Sequence, residues 1–152
     1  DKFTIRNLEL IHAANEGGVS LLEVMDKTVT PMGSRNLRKW LILPLKEKQV
    51  IDERLHVVEQ FYHSRDLAER TLEHLRQITD LERLISKVAV GRINPRELLQ
   101  LKRSLKAIVP IKEELEKSAS GELKKLGDQL NKCEFLLDKI ERTLKDDAPM
   151  LI

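Results

Sequence analysis

The spacing of leucine constrains this chain more than any other feature. Leu98, Leu101, Leu105 and Ile108 recur every three or four positions, which places them on one face of a helix. Lys112 interrupts the row and Leu115 resumes it. After the turn sequence "SASG", residues Leu123, Leu126, Leu130, Cys133, Leu137, Ile140 and Leu144 keep strict three-four alternation. Such a row is a heptad seam. Two helices of this kind joined by a short turn pack antiparallel as a hairpin, each arm reaching about 30 Å. The hairpin is assigned to residues 94–147, after core helices in residues 1–93. Pro110 lies inside its first helix and predicts a kink or split there.

Start and stop signals place further helices. Ser20 with Glu23 forms a capping box, opening a short helix to about Lys27. Thr30 caps a second helix with Pro31 at its first position, where a missing N–H costs nothing. That helix stops before Pro44. Ile51, Leu55, Val58 and Tyr62 predict a helix over 48–63, widened by Val57 and Phe61. Ser64 caps the next, which carries Leu67, Leu72, Leu75 and Ile78. "DLERLISKVAV" is another, ending at Gly91. Asn94, Pro95 and Glu97 give the cleanest start in the chain. The opening "KFTIRNLELIHA" alternates loosely and reads as a short strand or extended entry. The expected fold class is therefore all-α: a multi-helix core bundle with a long helical hairpin and at most a short N-terminal strand.

Composition removes several functions. Aromatic residues make up 3% of the 152 residues, too few for a sandwich core or a platform that stacks single-stranded nucleic acid. The 27 basic and 25 acidic residues leave a net charge of +2, against the strongly basic face of a dedicated nucleic-acid-binding domain. Cys133 is the single cysteine, so no internal disulfide forms and a reducing, cytoplasmic setting is expected. On the seam it reads as a small apolar residue. No apolar run is long enough to span a membrane. The chain begins with Asp1 and ends on "APMLI", which reads as a segment of a longer protein.

The stretch "TPMGSRNLRKWL", Thr30 to Leu41, poses the sharpest question. A helix start with Gly33, Ser34, Arg35, Arg38 and Lys39 suits an anion, because free N–H groups and the helix dipole point outward. A nucleotide-binding loop also needs a Gly-rich run and a Lys-Ser or Lys-Thr pair, and neither is present. Two readings stay open: a phosphate or DNA-backbone contact through Arg35, Arg38 and Lys39, or an amphipathic helix that turns Met32, Leu37, Trp40 and Leu41 inward. "GRINPRELLQLKRSL" raises the same choice for Arg92, Arg96, Lys102 and Arg103. Arg96 and Arg103 share a face at i and i+7. His12, His56, His63 and His74 are not paired at i and i+4, and no metal site is expected. No catalytic residue and no cofactor-binding residue is assigned.

"TVTPMGSRNLRKWLILPL" (Thr28 to Leu45) resembles the opening of the core domain of the MutS DNA mismatch-repair family. "RNLEL" (Arg6 to Leu10) before it and "DLERLISKVAVGRINPRELLQLKRSL" (Asp80 to Leu105) after it match that family in the same order. The resemblance covers residues 1 to about 110, and "GRINPREL" is similar to the mismatch-repair branch. It implies a core and lever domain (domain III) that ends just before a DNA-gripping clamp and lacks both the mismatch-reading motif and the nucleotide-binding loop. It implies no enzyme activity and no cofactor in this chain, with ATP and Mg bound elsewhere in a parent ATPase. The implied partners are other domains of the same polypeptide and, through the parent, mismatched duplex DNA. The implied role is mechanical transmission. A stand-alone helical scaffold and an autonomous DNA-binding module are the rivals. Because helices returning from the clamp would be missing, a homodimer through residues 123–151 is also expected, with Phe135 and Leu136 widening the strip.

Overall fold

The computed structural model describes residues 1–146. The end of the expected hairpin and the closing "DAPMLI", which the expected dimer also used, lie outside the described residues. Among the described residues there are nine helices and no strand, so the all-α reading is borne out. The N-terminal strand is not: Lys2–Asn7 is a helix, α1. The Asp1 carboxylate accepts the Thr4 N–H at 2.7 Å, and this cap decides the local contest against weak alternation.

The chain divides into two compact units, Asp1–Ile51 and Asp52–Ile152. In the first, α1 is followed by α2 (Leu21–Met25) and α3 (Pro31–Ile42). Glu9 turns the chain at φ 49°. Its carbonyl then accepts the Leu21 N–H at 3.0 Å, and the Leu10 carbonyl accepts that of Leu22 at 3.0 Å. Ser20 is wholly buried in the capping box foreseen for it: its hydroxyl accepts the Glu23 N–H while Glu23 accepts the Ser20 N–H at 2.7 Å. α2 packs on α3. The expected inward face of α3 is only partly realised. Met32, Leu37 and Leu41 are half-buried, but Trp40 stands 44% exposed. α2, five residues long, is too short to cover the whole apolar side of α3.

α4 (Lys48–His63) crosses into the second unit, which continues with α5 (Arg65–Leu75), α6 (Leu81–Ala89), α7 (Pro95–Lys117), α8 (Gly121–Asp128) and α9 (Glu134–Thr143). The starts of α3, α6 and α7 fall on the residues that signalled them. Ser64 precedes α5 without a side-chain cap bond. α7 is the spine: α5, α6, α8 and α9 all pack against it. It runs unbroken through Pro110, so the expected split does not occur. Leu115 and Leu123 are the most deeply buried leucines, at 2% and 1% exposure. A second cluster joins Leu84, Leu101, Leu105, Leu137 and Ile140. Ser104, wholly buried on α7, accepts the Thr79 N–H at 3.0 Å and lies 2.9 Å from its hydroxyl. This pins the α5–α6 corner to the spine.

The return arm of the hairpin is not one helix. α8 stops at Asp128 and α9 begins at Glu134, although the leucine row continues across the gap. Gly127, Asp128 and Asn131 are poor helix formers. The Lys112 ammonium donates to the Gly127 carbonyl at 2.9 Å. Asn131 Oδ1 then accepts the Cys133 N–H at 2.8 Å, holding Cys133 in the left-handed region at φ 51°. Leu123, Leu137 and Ile140 nevertheless bury within the chain, and Cys133 packs half-buried beside the second cluster. The seam therefore meets α7 as two short helices. Gly127 sits at a close approach: a Cβ there would lie 3.1 Å from that of Leu115.

Replacing Leu115 by Ala should cost about 2–5 kcal/mol, whereas Phe135→Ala, at 80% exposure, should stay within about 0.5 kcal/mol. Urea unfolding followed by circular dichroism compares the two.

Candidate functional site

The start of α3 is closed by its own side chain. The Thr30 hydroxyl accepts the Gly33 N–H at 3.0 Å, and a Cβ on Gly33 would stand 2.9 Å from that hydroxyl oxygen. Glycine is there to let the cap close. Asp26 supplies the negative charge. Its Oδ1 accepts the Thr28 N–H at 2.9 Å and the Thr28 hydroxyl at 2.6 Å, and its Oδ2 accepts the Ser34 hydroxyl at 2.5 Å. These bonds, Ser34's first, hold the Asp26 carboxyl below its ordinary value. Through Ser34 the carboxylate is bonded to the first turns of α3, where negative charge is favoured. Arg35, Arg38 and Lys39 lie on the exposed side of α3.

The α6–α7 corner gathers the second basic set. The Asn94 side chain accepts the Glu97 N–H at 2.9 Å, and Glu97 Oε2 accepts the Asn94 N–H at 3.2 Å. Glu97 Oε1 also accepts from the Lys87 ammonium, so one carboxylate caps α7 and ties it to α6. Lys87 first, then the Asn94 N–H, holds the Glu97 carboxyl below its ordinary range. Beside this tie lies a cleft of about 440 Å³ lined by Thr79, Asp80, Arg83, Asn94, Arg96 and Gln100, among others. Arg92, Arg96 and Arg103 are all exposed. Arg83 joins them from α6, an addition the sequence alone did not single out. Asp80 and Glu97 interleave with these cations, so the corner is mixed in sign.

A third feature was not foreseen. Phe61, Ala68, Leu72, Leu75, Ile111, Leu115, Leu126 and Leu130 line an almost wholly apolar groove of about 400 Å³. The Thr71 hydroxyl, buried at its wall, has no hydrogen-bond partner among the described residues. Leu126 and Leu130 were read as seam; they are half-buried at the rim. The one available signal was Thr71, a polar residue in an otherwise apolar helical row. α4 likewise carries Leu55, Val58 and Tyr62 at 58, 62 and 77% exposure. Among the described residues no three His, Cys, Asp or Glu side chains are grouped to hold a metal ion, and no helix is long and apolar enough to cross a membrane.

Capped helix starts, a structural tie at "NPRE" and an apolar groove are thus the main features among the described residues. The family model for MutS domain III matches residues 3–152. The chain belongs to the MutS family. It is 51% identical over its whole length to the DNA mismatch repair protein MutS of Bacteroides fragilis. Over 99% of its length it is 54% identical to that of Cytophaga hutchinsonii. It spans 18% of the length of each of these relatives. The resemblance first carried by Thr28–Leu45 and Asp80–Leu105 thus extends over the whole domain III match, including the seam, where residue by residue it was hardest to see.

The Glu97 tie gives a pH test. A carboxyl held below its unfolded value adds stability above that value, about 4.3, and loses it as pH falls through the folded one. Glu97→Gln should therefore flatten the loss of stability on acidification below about pH 4.5. Urea midpoints measured at neutral and acid pH give the two slopes.

Proposed function

We propose that this MutS domain III segment is the lever-bearing core of a mismatch-repair protein, linking an ATPase domain to a DNA-gripping clamp and mismatch-reading domains elsewhere in the polypeptide. The observation that carries the reading is α7: a 23-residue helix, about 35 Å long, on which every well-packed helix of its unit rests. A packed helix of this kind moves as a rigid unit and shifts discretely at its interfaces. The parent would bind mismatched duplex DNA and would bind ATP with Mg in its ATPase domain, and its setting would be the cytoplasm.

The uncovered surfaces support a place inside a larger protein. The apolar groove and the exposed side of α4 suit helices that return from the clamp. Phe135 at 80% exposure and Leu136 at 39% offer a smaller patch for a homodimer, now that the buried seam residues are spoken for within the chain. The mixed charge of the α6–α7 corner favours Arg92, Arg96 and Arg103 as contacts to neighbouring domains over DNA phosphates, which call for unopposed cations. The same role is proposed for Arg35, Arg38 and Lys39. The scaffold alternative lacks a comparable observation in its favour.

Softening the spine tests transmission. Gln100 and Arg103 are both exposed on α7, and replacing each by Gly costs roughly 1 kcal/mol of helix stability. Placed in the full-length parent polypeptide, the pair should leave mismatch binding and ATP hydrolysis near their starting levels while slowing ATP-induced release from DNA by about fivefold or more. Arg103→Ala is the control for lost charge. Unchanged release, with helicity retained, would refute the lever reading. The isolated chain should bind duplex DNA only in the non-specific range of about 10⁻⁴–10⁻⁶ M, equally for matched and mismatched duplexes, as fluorescence anisotropy over a salt series would measure.

A further inference from the structure

Lys102 lies on the buried side of α7. Its side chain is 9% exposed, while its partner Asp146 is 84% exposed. The ammonium donates to Asp146 Oδ1 at 2.5 Å. One turn further on, Lys106 pairs with Glu141 of α9. Between the two acids α9 ends: the Leu144 N–H donates to the Ile140 carbonyl at 2.9 Å, and Leu144 packs against the second core cluster.

The asymmetry in burial is informative. An ammonium removed from water needs a carboxylate partner, and removing that partner leaves an uncompensated buried charge. Lys102 therefore holds Asp146 more firmly than two exposed groups would hold each other. The two lysines, four residues apart on one face of α7, grip both α9 and the segment after it. We propose that Lys102 and Asp146 form a latch that holds residues 144–146, which follow α9, against α7. The Asp146 carboxyl is held below its ordinary value, first by the Lys102 hydrogen bond and then by its charge, with Lys106 and Arg103 adding to the pull and burial opposing it. Asp146 is a positioning residue. The latch stands on this geometry and does not require the lever reading.

Amide hydrogen exchange on the whole chain, read by mass spectrometry, tests it. Asp146→Asn should speed exchange over residues 140–146 by about tenfold while leaving residues 98–111 within about twofold. Asp146→Glu, which keeps the charge, should restore slow exchange. Lys102→Met combined with Asp146→Asn removes the stranded charge. It should recover the urea midpoint while exchange at residues 144–146 stays fast, because the tether is still missing. Three results would overturn the latch: unchanged exchange in Asp146→Asn, equal acceleration in α5 and α7, or failure of Asp146→Glu to restore protection.

Discussion

Burial along α7 is the interaction on which the second unit depends. Nine of its 23 residues are buried, and they face in more than one direction. Leu101 and Leu105 meet α6 and α9 through the cluster with Leu84, Leu137 and Ile140. Leu115 meets α8 at Gly127, where a Cβ would lie tightly, 3.1 Å from that of Leu115. Ser104 secures the corner between α5 and α6. A helix with apolar sides pointing several ways cannot be satisfied by one neighbour, and the surrounding helices are the answer to that demand.

The two helix starts that resemble anion sites show how charge is handled. At α3 Asp26 accepts the Ser34 hydroxyl, and at α7 Glu97 accepts the Asn94 N–H. Both carboxylates come from the chain itself and both also accept from a neighbouring side chain, Ser34 in one case and Lys87 in the other. Each is pulled below its ordinary value by those bonds. Each helix start thus has a carboxylate of the same chain bonded beside it.

Local signals were legible wherever a few adjacent residues settle the outcome. Ser20 with Glu23, Thr30 with Pro31, and Asn94 with Glu97 each cap the helix they announce. The misses share a cause. Trp40 reads as inward by spacing, yet spacing says nothing about whether a neighbour is large enough to cover it. The leucine row from Leu123 to Leu144 has the period of one helix, but Gly127 and Asn131 answer to α7 and to a local turn, so the row is cut while its packing survives. The groove around Thr71 was illegible because it is formed by helices far apart in sequence. The family, by contrast, was carried by motifs at Thr28–Leu45 and Asp80–Leu105 that need no tertiary knowledge to compare.

The central position of α7 in its unit bears on how that unit forms. α5 and α6 precede it directly and α8 follows after a three-residue turn, so most of its partners are neighbours in sequence. Low separation between contacting segments makes loop closure cheap and folding fast, on the microsecond-to-millisecond scale typical of helical domains. During synthesis, α5, α6 and α7 can assemble before α9 exists. α9, arriving last, then adds to a surface already made, and the order of assembly runs in the same direction as the chain.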